Sequence, residues 1–151
     1  MRVAGHFKYA QSPETVYQTF LDHDALLYAT PGLRTLTAVT PDVYDATLAI
    51  GIGGFELVYQ GRMTLTERMP NRQYRFMVDA TTHNGWGRAD ALFQFLPGDA
   101  GGTLVQYAAD VELGGGQKLL PPLARGLVDF FLRGMNHWMK EAAAGRRPDQ
   151  Y

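Results

Sequence analysis

The sequence predicts an α+β domain in which a curved, seven-stranded antiparallel sheet wraps one long C-terminal helix. Three observations lead there. Seven segments alternate apolar and polar residues between clusters of Gly, Pro, Asn and Asp, the pattern of half-buried strands joined by turns. Paired helix-start signals stand only after the first of these segments. The chain then closes on an amphipathic run over 121–144, which at about 1.5 Å per residue is long enough to cross the whole sheet.

Residues 2–10 set Val3, Gly5, Phe7 and Tyr9 against Arg2, His6 and Lys8, the period of a strand. Ser12-Pro13-Glu14 then supplies an N-cap, a proline at the first helical position and an acid in the first turn, so a short helix runs to about Leu21. Asp22 caps a second short helix through Ala29. Pro31-Gly32 ends it, since proline cannot continue the ladder and glycine accepts positive φ. Strands follow over 33–40, 43–52, 55–69, 72–82, 86–96 and 103–113. Their links are too short for parallel crossovers, so they form an antiparallel meander. Gly53-Gly54 and Gly85 to Gly87 are the places where a β-bulge would reverse parity, with Arg88 and Asp90 the charged residues most exposed to such a change; without one they stay on the outer face. Gly114-Gly115-Gly116 ends the sheet and Pro121-Pro122 opens the last helix. On its wheel Leu120, Leu123, Leu127, Phe131 and Trp138 share a face with Ala124 and Gly134, while Arg125, Asp129, Arg133 and Lys140 fall opposite. This helix is the one element expected to cover the concave face of the sheet, and an internal cavity is expected beneath it.

The 151 residues suit one domain over 1–144 with a polar tail over 145–151. With 46% hydrophobic and 19% charged residues the chain is of the globular class. It has no cysteine, which removes disulfides, thiolate zinc sites and a cysteine nucleophile, and its four histidines show no ligand spacing. No metal and no cofactor are expected. A net charge of −1 gives no field to gather nucleic acid. The N-terminus lacks the apolar core of a signal peptide and no apolar run reaches about 18 residues, so the expected location is cytoplasmic.

Carrying the alternation through each strand points Tyr9, Tyr44, Leu48, Ile50, Phe55, Leu57, Tyr59, Met63, Tyr74, Phe76, Val78, Phe93, Phe95, Val105, Tyr107 and Val111 at the helix. Glu56, Arg62, Arg75, Asp79, Arg88, Asp90, Asp110 and Glu112 fall on the outer parity. The expected ligand contacts are Tyr44, Leu48, Phe55, Leu57, Tyr59, Met63, Tyr74, Phe76, Phe93, Phe95 and Tyr107 on the sheet, with Leu123, Leu127, Phe131 and Trp138 on the helix. They make an aliphatic and aromatic interior whose tyrosines donate hydrogen bonds at neutral pH, suited to a hydrophobic small molecule. No serine elbow, zinc-binding helix pair or phosphate loop is present. Gly51-Ile52-Gly53-Gly54 lacks the lysine of a phosphate loop and lies between strands. His83 and His137 stand without a carboxylate placed beside them by strand spacing. No catalytic residue is therefore assigned, and the chain reads as a binder. An aromatase or cyclase shaping its substrate by confinement, and a structural accessory with a filled core, stand as alternatives.

Four stretches resemble a known family: SPETVYQTFLDHDALLYATPGLRTL, LAIGIGGFELVYQGRMTL, NGWGRADALFQF and GGTLVQYAADVELGGGQKLLPPLA. Over about Gly5 to Trp138 the chain resembles the carbon monoxide dehydrogenase G-subunit (CoxG) family, within the START-like polyketide cyclase (SRPBCC) superfamily of helix-grip proteins. Relatives often carry a cysteine after the proline-glycine, where Leu33 stands here. The resemblance implies a helix-grip fold with an apolar cavity and an accessory role beside a molybdenum-hydroxylase-type dehydrogenase. It further implies a lipid or quinone-like ligand, an oxidoreductase partner and association with the inner face of the membrane. Because the sequence ends in GRRPDQY, any membrane contact is expected to be at most peripheral.

Overall fold

The structure, a computed structural model, describes residues 1–52, 54–115 and 121–146, without the side chains of residues 52, 55 and 121–124. The elements run β1 (Arg2–Tyr9), α1 (Pro13–Leu21), α2 (His23–Ala29), β2 (Leu33–Thr40), β3 (Val43–Ile52), β4 (Phe55–Met69), β5 (Gln73–Thr82), β6 (Gly85–Pro97), β7 (Thr103–Gly115) and α3 (Pro121–Ala143), with a 3₁₀ turn at Asp99–Gly101. All seven strands form one antiparallel sheet in the order β1-β7-β6-β5-β4-β3-β2. The long C-terminal helix lies against its inner face, so the α+β, helix-grip architecture predicted from the sequence is the one observed.

The local signals act as their chemistry requires. The Ser12 Oγ accepts from the Thr15 N–H at 3.3 Å and an Asp22 carboxylate oxygen from the Ala25 N–H at 3.1 Å, so each short helix has a side-chain cap. α1 inserts Val16, Tyr17 and Phe20 into the interior and is held to β7 by Thr103, whose Oγ1 donates to the Gln11 carbonyl at 2.7 Å.

The parity of the strands follows the sequence reading, with one relocation. β6 pairs without interruption with both neighbours, so Gly85–Gly87 carries no bulge and Arg88 and Asp90 stay on the outer face. The register shifts instead between Thr66 and Met69 on β4, and twice along β2. Glu67 takes the bulge conformation at φ 51°, and its carboxylate accepts from the Arg75 Nε at 2.5 Å. A carboxylate anchored on a neighbouring arginine thus stabilises a backbone conformation that glycine would normally occupy.

Two sequence expectations about the helices are corrected. The concave face is covered not by α3 alone but also by α1, whose Phe20 and Tyr17 meet Phe93, Phe95 and Tyr74 edge-on or tilted at 5.3–6.2 Å. α3 is also rotated from the predicted wheel. Its buried seam is Met135, Met139, Ala142 and Ala143, while Phe131 is half-buried and Trp138 is 36% exposed, packed on Tyr28 of α2 at 5.3 Å. The cause lies in α2, which presents only Ala25 and Ala29 as buried residues, and in Gly134. A Cβ there would sit 2.8 Å from the Pro31 ring, so the helix comes down on the proline turn with its glycine against it. Of the predicted face, Leu120, Leu123 and Ala124 lie outside the described side chains.

Candidate site between the sheet and the last helix

Seen along its length, the inner face of the sheet divides into two parts. At one end Tyr74, Phe93, Phe95, Val105 and Leu65 are at most 5% exposed, sealed by α1 and the second half of α3. Tyr74 stacks on Phe93 at 5.6 Å, and Phe93 on Phe76 at 5.5 Å. At the other end several inward side chains keep partial access to solvent. These are Leu48 and Ile50 on β3, Val78 on β5, Ala89 on β6, and Tyr107, Ala109, Val111 and Leu113 on β7. A core face that is apolar and still accessible is a surface without its full complement of packing partners.

The predicted contact residues separate along the same division. Tyr74, Phe93 and Phe95 belong to the sealed core, as does most of Tyr44, which is 8% exposed. Leu48, Met63, Phe76 and Tyr107 are half-buried, Leu57 and Tyr59 are 6% and 8% exposed on β4, and Leu127 and Phe131 are half-buried on α3. Trp138 stands apart at the α2 seam. The side chains of Phe55 and Leu123 lie outside the described residues.

Among the described residues, the register places no charged group at the inner positions of β3 to β7 between Tyr44 and Leu113 on the helix side of the bulge. Polar character enters through tyrosine hydroxyls. Tyr107 lies across Gly5 of β1, where a Cβ would be only 2.5 Å from its hydroxyl, and its ring meets Phe7 at 4.9 Å. Burial pushes the Tyr59 and Tyr107 hydroxyls above the ordinary tyrosine range, and Asp129 of α3 adds to the rise at Tyr107. Both remain protonated donors at neutral pH. Tyr9 and Tyr74 are raised further by burial alone or chiefly by burial.

The outer face has a recess of its own, of about 780 Å³ over β2 to β6. Its lining is polar: Thr35, Thr37, Thr47 and Thr81 beside a cross-strand row of Asp45, Arg62, Asp79 and Arg88. Arg62 bonds Asp45 and Arg88 bonds Asp79, each at 3.0 Å, with more than half of every side chain in solvent. A self-neutralised exposed row of this kind contributes little energy, and Trp86, 37% exposed, adds apolar surface to the same recess.

The predicted wheel set Asp129 and Lys140 in solvent, where both are exposed, with the Lys140 ammonium 6.0 Å from the Tyr9 ring centre. Sequence reasoning did not single out Asn136, whose Oδ1 is buried. His83 and His137 are exposed, the latter beside Trp138 at 4.8 Å. Among the described residues there is no cluster of three His, Asp or Glu side chains that could hold a metal, and no helix is long and apolar enough to cross a membrane.

Comparison with solved structures returns the same architecture. A conserved protein from Geobacillus kaustophilus superposes with a TM-score of 0.89 at 20% identity, covering 96% of each chain. A START superfamily protein from Mycobacterium smegmatis gives 0.72 at 18% identity over 95% of this chain and 97% of that one. The Zhui aromatase/cyclase of a Streptomyces species gives 0.65 at 15% identity, over 96% and 92%. At these identities the likeness concerns the fold. No functionally curated protein matches significantly. The family described as the G subunit of carbon monoxide dehydrogenase (CoxG) matches residues 5–138, most of the chain. The chain is therefore a member of the carbon monoxide dehydrogenase G-subunit (CoxG) family, built on the helix-grip fold.

Proposed function

We propose that this chain carries an apolar small molecule, lipid or quinone-like, between the inner face of the sheet and the first half of α3, as an accessory to a molybdenum-hydroxylase-type dehydrogenase. One observation carries the proposal: the inward, uncharged side chains Leu48, Ile50, Val78, Ala89 and Val111 lie on the inner face of the sheet and yet remain accessible. Covering such surface is favourable by about 25 cal/mol per Å² of apolar area. The dehydrogenase partner rests on the family description alone. A carrier loading from a lipid phase would work in the cytoplasm with peripheral contact at the membrane.

Turnover has no support in the inner register, where no acid and base stand together among the described residues; tyrosines held protonated can orient an oxygen without moving its proton. The test is a titration with a short-chain benzoquinone that quenches protein fluorescence, in wild type and in Tyr59→Phe and Tyr107→Phe. Saturable binding is expected, weakened by about 0.5–1.5 kcal/mol for each hydroxyl that bonds the ligand. Absence of saturable binding by wild type refutes the carrier reading. Conversion of the bound molecule into a product would instead favour a cyclase-like enzyme.

A further inference from the structure

The recess of about 780 Å³ on the outer face is a groove with two chemically different walls. It crosses five neighbouring strands from β2 to β6, a span of about 19 Å at about 4.8 Å between strands. One wall is a single row, Thr35, Thr47, Gln60, Thr81 and Trp86, each directly opposite the next in the register. The other wall lies two residues further along each strand: Thr37, Asp45, Arg62, Asp79 and Arg88, again directly opposite one another. Between the rows stand Ala46, Gly61, Ala80 and Gly87, whose parity is that of the inner face, so the floor of the groove is backbone.

The walls decide what fits. Threonine and glutamine side chains each donate and accept hydrogen bonds. Arg62 and Arg88 bond Asp45 and Asp79 through Nε alone, so the terminal N–H groups of each guanidinium and one oxygen of each carboxylate can still bond a ligand. Charge along this row sums to zero. An acceptor-only anion such as phosphate therefore meets an aspartate wherever it meets an arginine, and a hydrocarbon strips water from both rows without replacing its hydrogen bonds. Trp86 closes one end. It rests on Gly114, where a Cβ would be 2.4 Å from the indole, and the Arg88 guanidinium is 5.1 Å from its ring centre, which holds the side chain in place with 37% of its surface exposed. The forks of a carboxylate and a guanidinium match paired hydroxyls on adjacent carbons, and an indole face matches an apolar C–H face. Sugar rings carry both surfaces at once.

We infer that this groove binds a short, uncharged oligosaccharide, its hydroxyls bonded by the two rows and one sugar ring stacked on Trp86. The site lies on the opposite face of the sheet from the proposed carrier site and stands independently of it.

The test exploits the tryptophan content of the chain. There are two, and the other, Trp138, packs on Tyr28, so the full-length Trp138→Phe variant keeps Trp86 as its one indole reporter. Titration with maltotetraose, cellotetraose and chitotetraose should give a saturable change in Trp86 fluorescence with at least one of them, undisturbed by excess inorganic phosphate. Adding Thr47→Phe, which fills the groove and keeps the reporter, should weaken that binding by about tenfold or more. Trp86→Ala in the wild-type background should weaken it by about the same factor in calorimetry. No saturable response to any of the three sugars overturns the site, as does binding that survives both Thr47→Phe and Trp86→Ala. Displacement of the sugar by phosphate overturns the assignment to an uncharged ligand.

Discussion

Met139 and Trp138 are adjacent in sequence and opposite in environment. Met139 is fully buried in the α3 seam, whereas Trp138 keeps 36% of its surface and rests on Tyr28. Met139→Ala should cost about 2–5 kcal/mol in urea denaturation, because its neighbours close only partly over the lost volume. Trp138→Ala should cost less per Å² of side chain removed, because 36% of its surface is already in solvent; a larger loss per Å² at Trp138 would mean that the helix is turned as its wheel suggests. The rotation is hard to read from the sequence for a physical reason. The stripe through Leu127, Phe131 and Trp138 is the more hydrophobic, but the helix turns to bring Gly134 down on Pro31, a contact between residues far apart in the chain. Glycines elsewhere divide in the same way by what surrounds them. At Gly61 a Cβ would meet the Asp79 carbonyl at 2.3 Å, while Gly51 has nothing within 4 Å. Gly61→Ala should therefore destabilise by about 1–3 kcal/mol and Gly51→Ala by less than about 0.5 kcal/mol, compared by thermal melting.

Between elements, His23 joins the start of α2 to the edge strand β2. Its Nε2 bonds the Leu36 carbonyl, and its Nδ1 faces an Asp24 carboxylate oxygen at 3.3 Å. Two acceptors on one ring call for two protons. The Leu36 carbonyl first, and then Asp24, raise the His23 pKa, with Asp22 adding to the effect. A folded pKa above the unfolded value of about 6.5 gives stability that is fully present below that value and is lost as pH rises through the folded pKa. Wild type should accordingly exceed His23→Gln in denaturation midpoint by more at about pH 5.5 than at about pH 8.5; an equal gap at both would show that the ring acts as a neutral donor. Element boundaries are legible because their signals are local: Ser12 and Asp22 cap, Pro31-Gly32 stops a helix, and alternation marks each strand. The bulge on β4 is not, since Glu67 takes positive φ through a carboxylate that reaches Arg75 on the next strand. Division of labour between α1 and α3 is equally hidden, because it depends on where the two short helices α1 and α2 land on the sheet.

For the whole molecule, alternation identifies the inner face and its lack of charge, and register carries both through. It cannot tell which inward residues a helix seals and which stay accessible, so it groups Tyr74, Phe93 and Phe95 with Leu48 and Tyr107 although only the latter two keep access. That difference locates the proposed ligand under the first half of α3, away from the outer recess. Filling each location in turn separates them. Ala89 is half-buried on the inner face between Val78 and Val111, and Thr47 lines the outer recess. The deciding measurement is the benzoquinone titration of Ala89→Phe and Thr47→Phe, each checked by circular dichroism for an intact fold. Loss of affinity by at least about tenfold in Ala89→Phe, with Thr47→Phe binding like wild type, is the expected result. Undiminished binding by a folded Ala89→Phe, or loss confined to Thr47→Phe, would contradict the assignment of the ligand to the space between sheet and helix.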